Sequence, residues 1–305
     1  MPPPAEAPKP RWQDRWLLAS SALGLERVAL LSWGLRSIFS RRARWKGRLR
    51  YEWGADSAAL TRADAWRTMA SEEIEQMIDR RMHLGRLYNR GNHWPELEAA
   101  AQELAAATRR LQSDLPGRPV IISPFHYVSE YANIYVVDAL RATLGLAELA
   151  LVSGSPREAY GHREDILIPG LRILHTYDEN NRSGLGLRVM RALRQEGIAV
   201  LFSDVPPYMM QRYPMETVEV VLLRRPARLH RGVFSIGSHV NAVMLCFHLT
   251  FSKGRFGHHL FDPIELACKD APQRVADCIE AAYQRAYPNW ILADHPSRYG
   301  FAPRK

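Results

Sequence analysis

The chain has 305 residues, 47% of them hydrophobic and 24% charged, which is enough to bury a sizeable core and excludes a wholly disordered chain. A net charge of +9 implies an acidic partner, with nucleic acid, an anionic membrane surface and an acidic carrier protein as candidates. The three cysteines, Cys246, Cys268 and Cys278, are unevenly spaced and lack any CxxC; they support neither a disulfide framework nor a zinc site, and they fit a reducing compartment.

Residues 1 to 10 carry five prolines and are expected to be disordered. They lack the basic start and apolar core of a secretory signal. The longest apolar stretch, WLLASSALGLERVALLSWGL at 16–35, is interrupted by Glu26 and Arg27, charges that are costly at a bilayer centre. The next segment, RSIFSRRARWKGRLR, sets Trp45 and Phe39 among arginines. It reads as an interfacial helix lying on anionic lipid, against the alternative of a helix packed on the protein's own body.

The pattern from 11 to 114 is helical. Leu60, Ala63, Trp66, Met69, Ile74, Met77 and Ile78 recur mostly at three- and four-residue steps. A further helix opens at HWPELEAAAQELAAATRRLQ, where Pro95 suits the first turn and Glu96 and Glu98 suit the positive end of the dipole. The texture changes at LPGRPVIISPF. Short β-branched runs follow (PVIIS, ELALVSG, LRILHTY, GIAVLFSD, VEVVLL, AVMLCFHLTF and HHLFDPIEL), with helical stretches at 129–144, 183–196, 229–240 and 271–287. This alternation predicts an α/β domain over 115–305, a mixed and largely parallel central sheet flanked by helices, with the region 11–114 as an N-terminal helical extension.

His126 follows PVIISPF and is therefore expected at the C-terminal end of a strand, where ligands gather in open α/β sheets. If the next helix begins near His126 or Tyr127, Glu130 lies one turn on and on the same face, so it can orient the imidazole and balance its charge while His126 acts as a general base. No GxSxG elbow or HExxH pair is present, so neither a serine nucleophile nor a metal enters the reading. His258 and His259 are adjacent and on a strand would face opposite ways.

From about 118 to 292 the order of segments resembles the bacterial lipid A late acyltransferase family, within the wider lysophospholipid acyltransferase-like group. IISPFHYVSEYA is similar to that family's strand, histidine, acid and helix, with three residues between His126 and Glu130 where the family has four. SGLGLRVMRALRQEGIAVLFSDVPP resembles its helix, glycine turn and strand ending in an acid, here Asp204. Pro226, Ala227 and Gly232 match a later proline, small residue and glycine-started helix, and YPNWILAD matches a closing proline-x-tryptophan element.

The resemblance implies transfer of a fatty acyl chain from a thioester, on acyl carrier protein or coenzyme A, to a hydroxyl or amine, without any cofactor. It places His126 and Glu130 in catalysis, and Asp204 near the same cleft, holding either the acceptor or the histidine. Arg157 and Arg163, and Arg225 and Arg228, are candidates for binding a phosphate of donor or acceptor. The location implied is cytoplasmic, peripheral on the inner face of the cell membrane. Competing readings are a noncatalytic lipid-binding protein on the same fold, a thioesterase, and a nucleic-acid binder, for which no recognition module is present in the sequence.

Overall fold

The computed structural model describes residues 11–55, 60–89, 93–153, 168, 170–175, 184–207, 216–294 and 301. The tail expected to be disordered, residues 1–10, lies outside these, as do Arg157 and Arg163.

The centre is a sheet in the order β3-β2-β4-β1-β7-β8, with strands β1 (Val120–Pro124), β2 (Leu149–Ser153), β3 (Leu171–His175), β4 (Ile198–Leu201), β7 (Val243–Ser252) and β8 (Arg255–Leu260). The strands from β3 through β7 run parallel; β8 and the short β9 (Ile264–Glu265) pair antiparallel with β7. The expected α/β architecture is thus observed. All of β1 and β4 is buried, so both faces are covered and these strands read as continuous apolar runs rather than alternating ones. Each fully buried valine or isoleucine there contributes about 1.5–3 kcal/mol.

One expectation is corrected by a strand the sequence hid. β5 (Thr217–Leu222) turns into β6 (Arg225–His230), a two-stranded antiparallel hairpin beside the main sheet. Its turn residues Leu223 and Arg224 have φ of 51° and 58°, a conformation usually announced by Asn-Gly. The matched Pro226 and Ala227 therefore lie within a strand, where proline is tolerated because the strand is an edge. The run HHLFDPIEL likewise divides into β8 and β9 on either side of Pro263.

The chain leaves β1 through α6 (Glu130–Thr143) and crosses over β4 to reach β2. From β3 it passes through α7 (Leu185–Glu196) to β4, and from β4 by way of the hairpin and α8 (Arg231–His239) it crosses β1 to reach β7. Right-handed crossovers in opposite directions put α6 on one face and α7 with α8 on the other. Gly197, at φ 71°, closes α7 in the left-handed conformation that suits glycine.

The N-terminal helices are α1 (Trp12–Ala19), α2 (Ala22–Phe39), α3 (Arg41–Ala55), α4 (Arg62–Leu87) and α5 (Pro95–Asp114). α5 starts at Pro95 with Glu96 and Glu98 in its first turn, as its sequence requires. Ile74, Ile78 and Met82 of α4 and Leu97, Ala101 and Leu104 of α5 share one hydrophobic cluster with β1, β4 and β7. Position 114/115 is therefore a change in secondary structure within a common core, not a division between cores.

α3 is anchored from below. The buried Arg50 donates from Nη2 to the Trp290 carbonyl at 2.9 Å, and the Tyr287 hydroxyl donates to the Arg50 carbonyl at 2.6 Å. Gly54 lies so close to the Tyr287 ring that a Cβ there would meet it at 2.0 Å. The apolar stretch at 16–35 is divided between α1 and α2, and Glu26 turns inward to pair with Arg67 and to accept from the Gly254 amide at 2.5 Å. Leu31, Leu35 and Phe39, at four-residue steps, point outward instead, and Phe39 is 87% exposed. Among the described residues no helix is long and apolar enough to cross a membrane.

Candidate active site at the ends of two parallel strands

β1 and β4 are neighbours whose chains depart in opposite directions, which makes the region beyond their C-terminal ends a topological switch point. Val120 pairs with Ile198, an offset of 78 residues. The same offset relates His126 to Asp204 just past the strand ends, so the sheet's own register brings these two residues face to face.

Asp204 is fully buried and uses both carboxylate oxygens on residue 126. Oδ2 accepts from the His126 backbone N–H at 2.7 Å, and Oδ1 accepts from the ring Nδ1 at 2.7 Å. A carboxylate only accepts, so Nδ1 carries the proton and Nε2 keeps its lone pair. The ring lies 4.5 Å from the ring of Phe202 and its side chain retains 13% exposure, leaving it accessible at one edge. Burial pushes the imidazole pKa down, but the charge and hydrogen bond of Asp204 outweigh it, with help from the charges of Glu130 and Glu75, and hold it above the ordinary histidine value. Beneath the pair, Ser123 and Ser203 tie the two strands together with buried hydroxyls 2.7 Å apart.

The loop after His126 is unusual. Val128 is β-branched yet adopts φ 67°, a conformation that costs on the order of 1–3 kcal/mol and persists only where the surroundings enforce it. They do so here. The Val128 amide donates to the Asn289 carbonyl at 2.6 Å, the Ile291 amide donates to the His126 carbonyl at 2.9 Å, and Tyr127 bridges to Trp290. The buried Asn133 amide donates to the carbonyls of Phe125, Tyr127 and Ser129.

This loop corrects the expected partnership of His126 with Glu130. α6 begins at Glu130, with Ser129 as its N-cap, so residues 126 to 129 are not helical and the one-turn relation does not apply. Glu130 is exposed, and among the described residues it makes no hydrogen bond with His126; its influence is through its charge. Asp204, the other acid singled out in the sequence, is the group that holds the ring.

Arg228 pairs with Glu219 across the hairpin and donates to Thr217 Oγ1 at 3.1 Å, so its guanidinium is already engaged. Arg225 is exposed beside a small cavity lined by Pro226, Tyr283 and Phe301. Neither arginine has a hydrogen bond or ion pair to His126 or Asp204 among the described residues. His258 and His259 diverge as adjacent strand residues should, His258 to Glu103 at 2.7 Å and His259 to Arg285 at 2.6 Å.

The supports missed from the sequence were Ser129, Asn133 and the segment 287–291. The last was visible only as a proline-x-tryptophan element, and its work is done by main-chain groups that any residue possesses. No protein-family model matches the chain, and no curated protein matches it.

Proposed function

We propose that the protein is an acyltransferase that moves a fatty acyl chain from a thioester donor, acyl carrier protein or coenzyme A, to a hydroxyl or amine acceptor. The observation that carries this reading is the His126–Asp204 pair at the switch point, its ring polarised by a buried carboxylate and its Nε2 left to accept a proton. The resemblance of the segment order to the lipid A late acyltransferases supports the choice of acyl transfer over other base-catalysed reactions.

In this scheme Nε2 removes the proton of the acceptor O–H or N–H as the acceptor atom attacks the thioester carbonyl. The C–S bond then breaks, and the imidazolium returns its proton to the departing thiolate. Asp204 balances the positive charge on the ring while it exists. No covalent enzyme intermediate is needed.

The protein works at an anionic membrane surface in this reading, on the cytoplasmic face. Support comes from the outward ridge of Leu31, Leu35, Ile38, Phe39 and Trp45, flanked by the exposed Arg27, Arg41, Arg42 and Arg44. Co-sedimentation with phosphatidylglycerol vesicles tests this part: binding should fall at least tenfold in Leu35→Glu/Phe39→Glu, and unchanged binding would refute it.

The reaction is tested by incubating the protein with acyl carrier thioesters or acyl-CoA and a lipid extract, and identifying the acylated product by mass spectrometry. An acylated lipid formed by the wild type and not by His126→Asn supports the reading. Release of free fatty acid without any acceptor would mean a thioesterase. Equal product from both proteins would remove His126 from the chemistry.

A further inference from the structure

Building on the acyl-transfer reading, we infer that Asp79, on α4 of the N-terminal helical region, is a positioning residue for His126 and acts through Ser129. Nothing in the sequence joins residue 79 to residue 126; the juxtaposition is made by α4 crossing the start of α6.

The Asp79 carboxylate accepts a short hydrogen bond from Ser129 Oγ and another from the Tyr131 backbone N–H. Ser129 Oγ in turn accepts from the Ala132 N–H at 3.0 Å. Two of the amides that α6 leaves unbonded at its first turn are therefore satisfied by one side chain from another helix and one cap. Ser129 is fully buried and lies directly after the strained Val128, three residues from His126. The loop is fixed from one side by the carbonyl of Asn289 and from the other by this carboxylate. With Asp79 withdrawn, Val128 can relax towards an ordinary extended φ, and the His126 ring then shifts against Asp204.

The electrostatics separate this role from a merely stabilising one. Burial, with the like charge of Glu130, raises the Asp79 pKa to about 6 despite its hydrogen bonds to Ser129 and Tyr131. An acid whose folded pKa lies above its unfolded value costs stability, and the cost is fully present above about pH 6. A neutral amide would carry no such cost but would lose the Tyr131 amide as a partner, so the two effects offset one another in stability. The expected signature is thus a variant that is about as stable and yet slower.

The test uses the full chain carrying Asp79→Asn, which keeps one acceptor for Ser129 but turns an N–H group toward the Tyr131 amide. At pH 8 the relieved burial cost offsets the lost Tyr131 bond, and its melting temperature should stay close to that of the wild type. Its kcat for acyl transfer should fall about tenfold with KM unchanged, and amide hydrogen exchange at Val128 and Ser129 should quicken about tenfold. Unchanged exchange at both amides together with an unchanged kcat would overturn the proposal, as would loss of melting temperature in proportion to loss of rate. Should the wild type transfer nothing from any thioester, the acyl-transfer reading falls, and the exchange rates by themselves then decide whether Asp79 holds the loop.

Discussion

Two histidines lie close together in this fold and have opposite characters. His126 stands beyond the end of β1, hydrogen-bonded to a buried carboxylate, with its pKa raised. His248 stands within β7, its ring 5.1 Å from that of Tyr127, and is 1% exposed. Burial, opposed by the hydrogen bond to the Leu249 carbonyl and aided by His259, Arg285 and His258, drives its pKa down to about 4, and its Nε2 has no hydrogen-bond partner among the described residues. His248 is sealed within the sheet, whereas His126 keeps 13% exposure beyond the strand end. The neighbouring charges differ as well: Asp204 offsets the desolvation that penalises the imidazolium at His126, and among the described residues no acid does so at His248. A buried histidine is a core residue until an acid is placed beside it.

The sharpest way to break the comparison is to remove its active half. His126→Asn should lower acyl transfer by roughly 10²–10⁴-fold, the usual contribution of general-base catalysis, as measured by product formation under saturating thioester. Asp204→Asn should follow, with a loss on the order of 10²-fold, and should also make His126 resemble His248. In the wild type the base is neutral only above its raised pKa, so transfer climbs with pH through a range above 6.5. Without Asp204 the desolvation of the ring prevails, and the rising limb of the pH–rate profile should move to lower pH. The linkage has a matching sign: the stability contributed by the His126–Asp204 pair is fully present below the unfolded histidine pKa and is lost as pH rises through the folded one.

The other half of the comparison should respond in stability alone. His248 has a depressed folded pKa, so the protein loses stability as pH falls from about 6.5 towards 4. Between pH 7 and pH 5 this residue accounts for about 2 kcal/mol. Urea unfolding of His248→Phe should therefore show a flatter acid dependence than the wild type, while acyl transfer at pH 8 stays within about threefold. The smallest expected effect belongs to Glu130→Gln. Because that side chain acts on His126 only through its charge, transfer should change by less than about threefold, with a slight downward shift of the pH limb. A loss as large as that of Asp204→Asn would restore Glu130 as the ring's partner.

Much of the sheet was legible because its central strands are buried on both faces and leave unbroken apolar runs in the sequence. β6 was not, since RPARLH offers two arginines, a proline and a histidine, and its turn lacks glycine. The histidine and both acids were legible as candidates. Their pairing was not, because spacing in sequence reports only local geometry. Glu130 is four residues from His126 and would meet it if residues 126–129 were helical, but Val128 in the left-handed region prevents that. Asp204 is 78 residues away and meets it because two parallel strands happen to share that offset. Asp79 was beyond reach for the same reason. Glu26, which interrupts the apolar stretch in the sequence, points inward with Leu25, Ala29 and Trp33, a placement the sequence did not reveal.

The offset of 78 residues shared by the β1–β4 ladder and the histidine–aspartate pair also governs what changes of length the chain can accept. Loops in the long excursion between α6 and α7 can grow or shrink without disturbing the dyad, since only the ladder sets its spacing. One residue inserted between Pro124 and His126, or between Leu201 and Asp204, would slide one partner past the other by about 3.3 Å while leaving both strands intact. Such an insertion would yield a well-folded protein whose two key side chains no longer meet.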